Sequence, residues 1–308
     1  MHITRIIPKT LAIALISVLL PLSSPAGADE RVVRLAYVEW STAIASNNLV
    51  KAVIQEKLGV RCELISMTAS EMWRAVATGS ADAMVSAWLP ETHERYYREV
   101  KDDVVNLGPN LEGTKIGLVA PNVTAGRFTA GTGIRNRPYM DIESITDLKE
   151  RAAKLKHRII GIDPEAGIMI KTREALEAYG LEDEFRLIDG SEISMVAELS
   201  NAIRHKKWIV VTGWLPHWMF AQWELKFLKD PKNIYGDGGH IATIVREGLK
   251  QDMPEVYDFL DSFSWKPEEM GRLMLWIRRD DGIFPYDEAL RWMRTNPDRI
   301  DSWLDNNN

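Results

Sequence analysis

Ile159-Ile160-Gly161-Ile162-Asp163-Pro164-Glu165-Ala166-Gly167-Ile168-Met169 runs from an apolar stretch through an acidic, proline-containing turn to a glycine and a second apolar stretch. A strand that ends near Asp163, turns, and opens a helix near Gly167 accounts for that order. Helical spacing continues to residue 179, and a strand-like run returns at 185–188. This is a βαβ unit, and similar units lie on both sides of it. Upstream, strands are expected at 32–37, 62–65 and 81–86, with helices at 49–57 and 70–78, the second capped by Ser70. A helix at 93–101 and a strand at 115–120 follow. Ser144 and Asp147 stand at capping-box spacing before a helix to 156. Downstream come a helix at 191–205 and a strand at 208–212. Strands separated by amphipathic stretches argue for parallel βαβ sheets. The fold class is α/β, with two series of units forming two lobes joined by the strand at 115–120. The chain crosses back near 241–245 and closes with helices at 254–263, 268–278, 286–294 and 299–304. Residues 122–140, rich in Gly, Thr and Arg, lack periodicity and are expected to form a surface loop on the second lobe.

The first 28 residues have the layout of an export signal. Arg5 and Lys9 precede an apolar run at 11–22, and Ala26-Gly27-Ala28 resembles a cleavage site before Asp29. That run is 12 residues long, short of the roughly 20 that a spanning helix needs. No cysteine stands there to carry a lipid anchor, so the expected location is the periplasm. Without Arg5 and Lys9, 36 basic residues face 44 acidic ones, a net charge of −8. Such a balance argues against nucleic acid and anionic membranes as partners. Cys62, the only cysteine, leaves no intramolecular disulfide and sits in a strand-like run where burial is the expectation.

Enzymatic signatures are missing. No G-x-x-x-x-G-K-[S/T], H-E-x-x-H, C-x-x-C or G-x-S-x-G occurs, and the six histidines are scattered. No cofactor or metal is expected. The informative residues are tryptophans, of which the chain has 11. Trp276 and Trp292 fall on amphipathic tail helices and Trp208 opens a buried strand, so these read as packing. Trp73 lies in a helix and also reads as packing, with a supporting role at a cleft as the alternative. Trp218 and Trp223 follow the Trp214 turn and are placed to brace it. Trp40, Trp88 and Trp214 differ, because each stands at the end of a strand-like run beside a turn or helix start. In open α/β sheets that edge lines the ligand cleft. Indole faces suit a cation that cannot donate hydrogen bonds, and quaternary ammonium is the usual case. The helix start at Gly167 offers free N–H groups to an anion, and His93, five residues past Trp88, offers a side-chain donor. Taken alone, these two places read as an ordinary βα turn and a surface histidine; beside an indole cage they would complete a site for a zwitterion.

The chain resembles the glycine-betaine-binding proteins of ABC importers across essentially its whole mature length. The resemblance rests on Leu35-Ala36-Tyr37-Val38-Glu39-Trp40, on Ala75-Val76-Ala77-Thr78-Gly79-Ser80-Ala81-Asp82-Ala83, and on Ser86-Ala87-Trp88-Leu89-Pro90-Glu91-Thr92-His93. It continues in Asp163-Pro164-Glu165-Ala166-Gly167-Ile168-Met169 and Thr212-Gly213-Trp214-Leu215-Pro216-His217-Trp218-Met219-Phe220. It implies a two-lobed periplasmic-binding-protein fold of the venus-flytrap kind (type II), with lobe 1 at 29–117 and 240–308 and lobe 2 at 118–239. It also implies that Trp40, Trp88 and Trp214 cage a trimethylammonium group, while His93 and the N–H groups of Gly167 and Ile168 hold a carboxylate. The implied partners are a betaine-type ligand and the permease and ATPase subunits of an ABC transporter, with the receptor a monomer serving uptake or osmoprotection. The alternatives are choline, carnitine, trimethylamine N-oxide or a sulfonium analogue as ligand. From a different class, an enzyme on a related two-lobed fold could use Cys62 or Glu39.

Overall fold

A computed structural model describes residues 31–122, 139–279 and 281–305. The export signal at 1–28 and nearly all of the 122–140 loop lie outside the described residues. The chain opens with β1 (Val32–Tyr37), α1 (Ser41–Lys57), β2 (Arg61–Ser66), α2 (Ala69–Ala77), β3 (Ala83–Leu89) and α3 (Glu94–Val100). A long strand, β4 (Val104–Pro121), leads to α4 (Leu148–Arg151), β5 (Arg158–Ile160), α5 (Gly167–Ala178), β6 (Arg186–Ile188) and α6 (Glu192–Arg204). Then come β7 (Val211–Leu215), α7 (Met219–Gln222), β8 (Leu225–Phe227) and β9 (Gly239–Arg246). The tail holds α8 (Leu249–Asp252), α9 (Pro254–Ser262), α10 (Pro267–Arg279), α11 (Pro285–Thr295) and α12 (Pro297–Leu304).

The strands run in the order β2-β1-β3-β9-β4-β7-β5-β6, with β8 on β4. β1 is parallel to β2 and β3, and β5 is parallel to β6 and β7, as the βαβ pattern predicts. The two strands in the middle depart from it: β9 is antiparallel to β3 and β4, and β4 is antiparallel to β7. β4 pairs with β9 up to Thr114 and with β7 from Lys115 onward, so one strand belongs to two sheets. The periodicity predicts only its second half. The first half contains Gly108, Pro109 and Gly113, and its pairing with β9 slips register three times. Gly108 and Gly113 both have positive φ, +95° and +79°. Bulges of this kind break the alternation by which a strand is recognised.

β3 is buried along its whole length, which explains a run that is apolar but for Ser86. α2 buries Met72, Trp73 and Val76 and is capped by Thr68 with Glu71, not by Ser70. Ser70 is instead the second helical residue, and its hydroxyl donates to Glu165 at 2.6 Å. The helix expected up to 156 ends at Arg151, although its Ser144–Asp147 capping box is present. α1 starts eight residues earlier than the apolar spacing indicates. Its first half buries Thr42, Ser46, Asn47 and Asn48, and three of these place their donors locally. Ser46, Asn47 and Asn48 each donate to the carbonyl four residues back at 2.8–2.9 Å. α10 and α11 pack on α1. The tail helices join around Phe259, Phe263, Trp265, Trp292 and Trp303, with Trp292 stacked on Trp303 at 6.1 Å. Trp276 is half-buried under Arg291, and Trp208 under Lys154. Cys62 is buried on β2, and burial pushes its thiol up to about 12. Among the described residues, no helix is long and apolar enough to cross a membrane.

Candidate functional site

A cleft opens between the two sheets. It is lined by Trp40, Trp88, His93, Gly167, Ile168 and Trp214, all six residues singled out above, together with Thr92, Ile116, Ile162 and Ala166. The elements account for the convergence. Trp88 is the penultimate residue of β3, and His93 is the N-cap of α3 just beyond it. Trp40 is the N-cap of α1, three residues past β1. From the second sheet, Trp214 is the penultimate residue of β7, and Gly167 and Ile168 open α5 after β5. Each site residue therefore sits at the carboxyl end of a strand or in the turn that follows it.

The wall is almost entirely apolar, and its few polar atoms are directed. Trp40, Trp88 and Trp214 are 4–6% exposed, so their rings are withdrawn from bulk water. The Trp40 indole N–H donates to the Asp163 carboxylate at 2.9 Å, which fixes the ring from the opposite sheet. Burial raises the Asp163 carboxyl above its ordinary value, opposed by this bond and by backbone N–H groups. Trp214 packs edge-on to His217 at 4.8 Å, and its indole nitrogen is buried with no hydrogen-bond partner among the described residues.

His93 is held in one protonation state by its surroundings. Its Nδ1 accepts both the Trp88 backbone N–H at 3.2 Å and the Trp73 indole N–H at 3.3 Å. With Nδ1 committed as an acceptor, the ring's single proton belongs on Nε2. Burial pushes the pKa down to about 3, so the ring is a neutral donor. Trp73, expected to be packing, is thus also the residue that orients His93.

The α5 N-terminus supplies further donors. Its N-cap, Ala166, has no side-chain cap, and its first turn contains no acid. The N–H groups of Gly167 and Ile168 are engaged by no hydrogen bond among the described residues. Orphan N–H groups at the positive end of a helix attract an anion. Gly167 is required because a Cβ there would overlap the Thr92 carbonyl oxygen and lie 2.7 Å from the Thr92 methyl. The fit between α5 and the segment after β3 is that close. Thr92, Ile116, Ile162 and Ala166 escape sequence reasoning because nothing distinguishes them from ordinary packing residues. The arrangement can hold a small ligand with a bulky cationic end against indoles and an anionic end against N–H donors. It contains no paired nucleophile and base.

Comparison with known proteins agrees with this chemistry. The model of the OpuAC family, the substrate-binding domain of ABC-type glycine betaine transport systems, matches residues 31–295. The glycine betaine/carnitine transport binding protein GbuC of Listeria monocytogenes is 44% identical over 158 residues, 51% of this chain and 52% of that protein. The chain thus spans about half the length of this curated relative. Lactococcal OpuAC, in its closed-liganded conformation complexed with glycine betaine, is 37% identical over 89% of this chain and 99% of that one, with a TM-score of 0.79. The glycine/betaine/L-proline-binding protein ProX from Borrelia burgdorferi is 35% identical, with a TM-score of 0.81 over 89% and 97% of the two chains. The fold is the two-lobed type II periplasmic-binding-protein fold, and in this chain its two sheets share β4. With a matching family model from residue 31 to residue 295, the chain belongs to the family of substrate-binding domains of ABC-type glycine betaine transport systems.

Proposed function

We propose that the protein is a receptor for glycine betaine or a closely related methylated ammonium zwitterion, which it delivers to the permease of an ABC transporter. Trp40, Trp88 and Trp214 surround the cation. The carboxylate is bound by the Nε2–H of His93 and the backbone N–H groups of Gly167 and Ile168. The observation that carries this reading is one cavity in which three withdrawn indoles meet a neutral histidine donor and an uncapped helix start. The anion-binding end favours a carboxylated ligand over choline. The name of the Listeria relative and the glycine betaine held by lactococcal OpuAC point the same way. The receptor works outside the cytoplasm, in the periplasm if residues 1–28 direct export, and acts as a single chain beside a separate ATPase. Lobe 1 comprises 29–117 and 240–308 and lobe 2 comprises 118–239, hinged close to where β4 changes partner. Cation and carboxylate contacts come from both lobes, so ligand favours the closed arrangement by its differential affinity for it.

Calorimetry against glycine betaine, carnitine, choline and trimethylamine N-oxide tests the reading. Glycine betaine should bind tightest and be recovered unchanged, and solution scattering should show compaction on binding. Each indole facing a desolvated cation contributes roughly 0.5–2 kcal/mol. Trp88→Ala should therefore weaken binding several-fold or more, and Trp88→Phe less, because a ring face remains. Wild-type affinity in the Ala variants of two of the three tryptophans would remove the cage from the account.

A further inference from the structure

Outside the cavity, the most heavily bonded buried acid is Glu192, the first residue of α6, which is 7% exposed. Its carboxylate leaves its own lobe. One oxygen accepts the Ser41 backbone N–H at 2.8 Å, and the other accepts the Ser41 hydroxyl. His217 donates from Nε2 to Glu192 at 3.0 Å, and its Nδ1 is occupied by the Met219 N–H at 3.0 Å, which fixes that tautomer. The Trp218 indole N–H donates to the Ser41 hydroxyl at 3.0 Å, and the Arg278 guanidinium lies over the Trp218 ring at 5.0 Å. Burial pushes the Glu192 carboxyl up, and His217 and Ser41 outweigh that effect and hold it below its ordinary value.

Ser41 is the first residue of α1, and the residue before it is Trp40. α1 is 17 residues long, yet its N-cap makes no side-chain hydrogen bond and its first turn contains no acid. A helix start in that condition leaves donors unsatisfied and favours a carboxylate. Glu192 supplies the carboxylate from the opposite lobe. The bond to Ser41 therefore exists only while the lobes are together, whereas the bond to His217 lies within one lobe. Glu192 does not line the cavity.

We propose that Glu192 is a positioning residue, an inter-lobe cap on α1 that holds Trp40 in place in the closed form and thereby sets ligand affinity without touching ligand. The proposal rests on the receptor reading above. In an open protein water replaces the Ser41 donors, so the cap adds to the preference for closure and slows ligand release.

Ser41→Ala and Glu192→Gln, singly and together, test it. Hydrogen bonds to a charged group suggest a loss of about tenfold to a hundredfold in glycine betaine affinity for Glu192→Gln. Ser41→Ala keeps the backbone N–H bond and should lose less. The loss should appear in the dissociation rate, with association little changed. The losses should be less than additive in the double variant, because both changes act on the Glu192–Ser41 contact, while Ser41→Ala also removes the Trp218 bond. Ser41→Ala leaves the Glu192–His217 pair whole, so its ligand-free thermal midpoint should match wild type. Wild-type affinity in both single variants, or strictly additive losses in the double variant, would overturn the proposal. An affinity loss matched by an equal loss of ligand-free stability in Ser41→Ala would do the same, reducing the contact to general packing. If the wild type binds none of the panel, the receptor reading fails instead. Scattering of the ligand-free proteins then decides the cap, which stands if Ser41→Ala and Glu192→Gln are more open than wild type and falls if all three coincide.

Discussion

Gly167→Ala is expected to weaken glycine betaine binding by about a hundredfold while leaving the ligand-free protein as stable as wild type or slightly more so. The added methyl would overlap the Thr92 carbonyl oxygen and crowd the Thr92 methyl at 2.7 Å. Backbone cannot turn aside as a flexible side chain does, and forced overpacking costs roughly 1–3 kcal/mol, the upper end of which corresponds to about a hundredfold. α5 would have to draw back, taking the Gly167 and Ile168 donors with it. Gly167 is not among the residues of positive φ, so alanine fits its backbone. Alanine is also the better helix former by roughly 1 kcal/mol. Thr92 follows β3 in one sheet and Gly167 follows β5 in the other, so under the proposed lobe division the clash is confined to the closed form. Calorimetry with ligand and a thermal melt without it separate the two effects. Binding within threefold of wild type would mean that the close approach is unnecessary, and the carboxylate seat would have to lie elsewhere.

His93→Ala should distinguish ligands by their anionic end. A hydrogen bond to a charged group is worth roughly 1.5–3 kcal/mol, so glycine betaine should lose about tenfold to 150-fold. Choline, with no carboxylate, should lose much less. Equal losses would remove His93 from the carboxylate site. Because His93 stays neutral down to about pH 3, wild-type glycine betaine affinity should be flat with respect to this group between about pH 5 and 8. The same residue should shape acid stability. Its folded pKa is below the unfolded value of about 6.5, so the unfolded chain takes up the proton first. Stability is then lost as pH falls from about 6.5 towards 3, by up to about 1.4 kcal/mol per pH unit. His93→Ala should lack that component of the slope in chemical denaturation at stepped pH.

Much of this could be read in the sequence because the site occupies strand ends, where apolar runs stop abruptly at tryptophan. Trp88 and Trp214 follow such runs directly, and the turn from Asp163 to Gly167 announces a helix start. These signals are local. What escaped depends on partners distant in the chain. The exception is local: Glu71 stands at capping-box spacing from Thr68, which marks Thr68 as the cap of α2, while Ser70 reaches Glu165 instead. Trp73 looks like any aromatic on an amphipathic helix until its indole is found 3.3 Å from His93. Glu192 sits where an acid commonly stabilises its own helix start, so nothing indicates that it serves α1. The first half of β4 was hidden because glycines and a proline interrupt its alternation, although that half carries the pairing with β9. The two series of parallel βαβ units were legible, and the bonds between them were not.

The lone cysteine has a practical consequence. Cys62 is buried and its thiol is held up near 12, far from the thiolate form that alkylating reagents require. A second cysteine placed on the surface would therefore be labelled alone, with no need to mutate the native one. Ile193 is 81% exposed and adjoins Glu192, whose carboxylate reaches Ser41 at the start of α1. An environment-sensitive dye attached there would report closure as a change in emission, turning the receptor into a reagentless optical sensor for its own ligand.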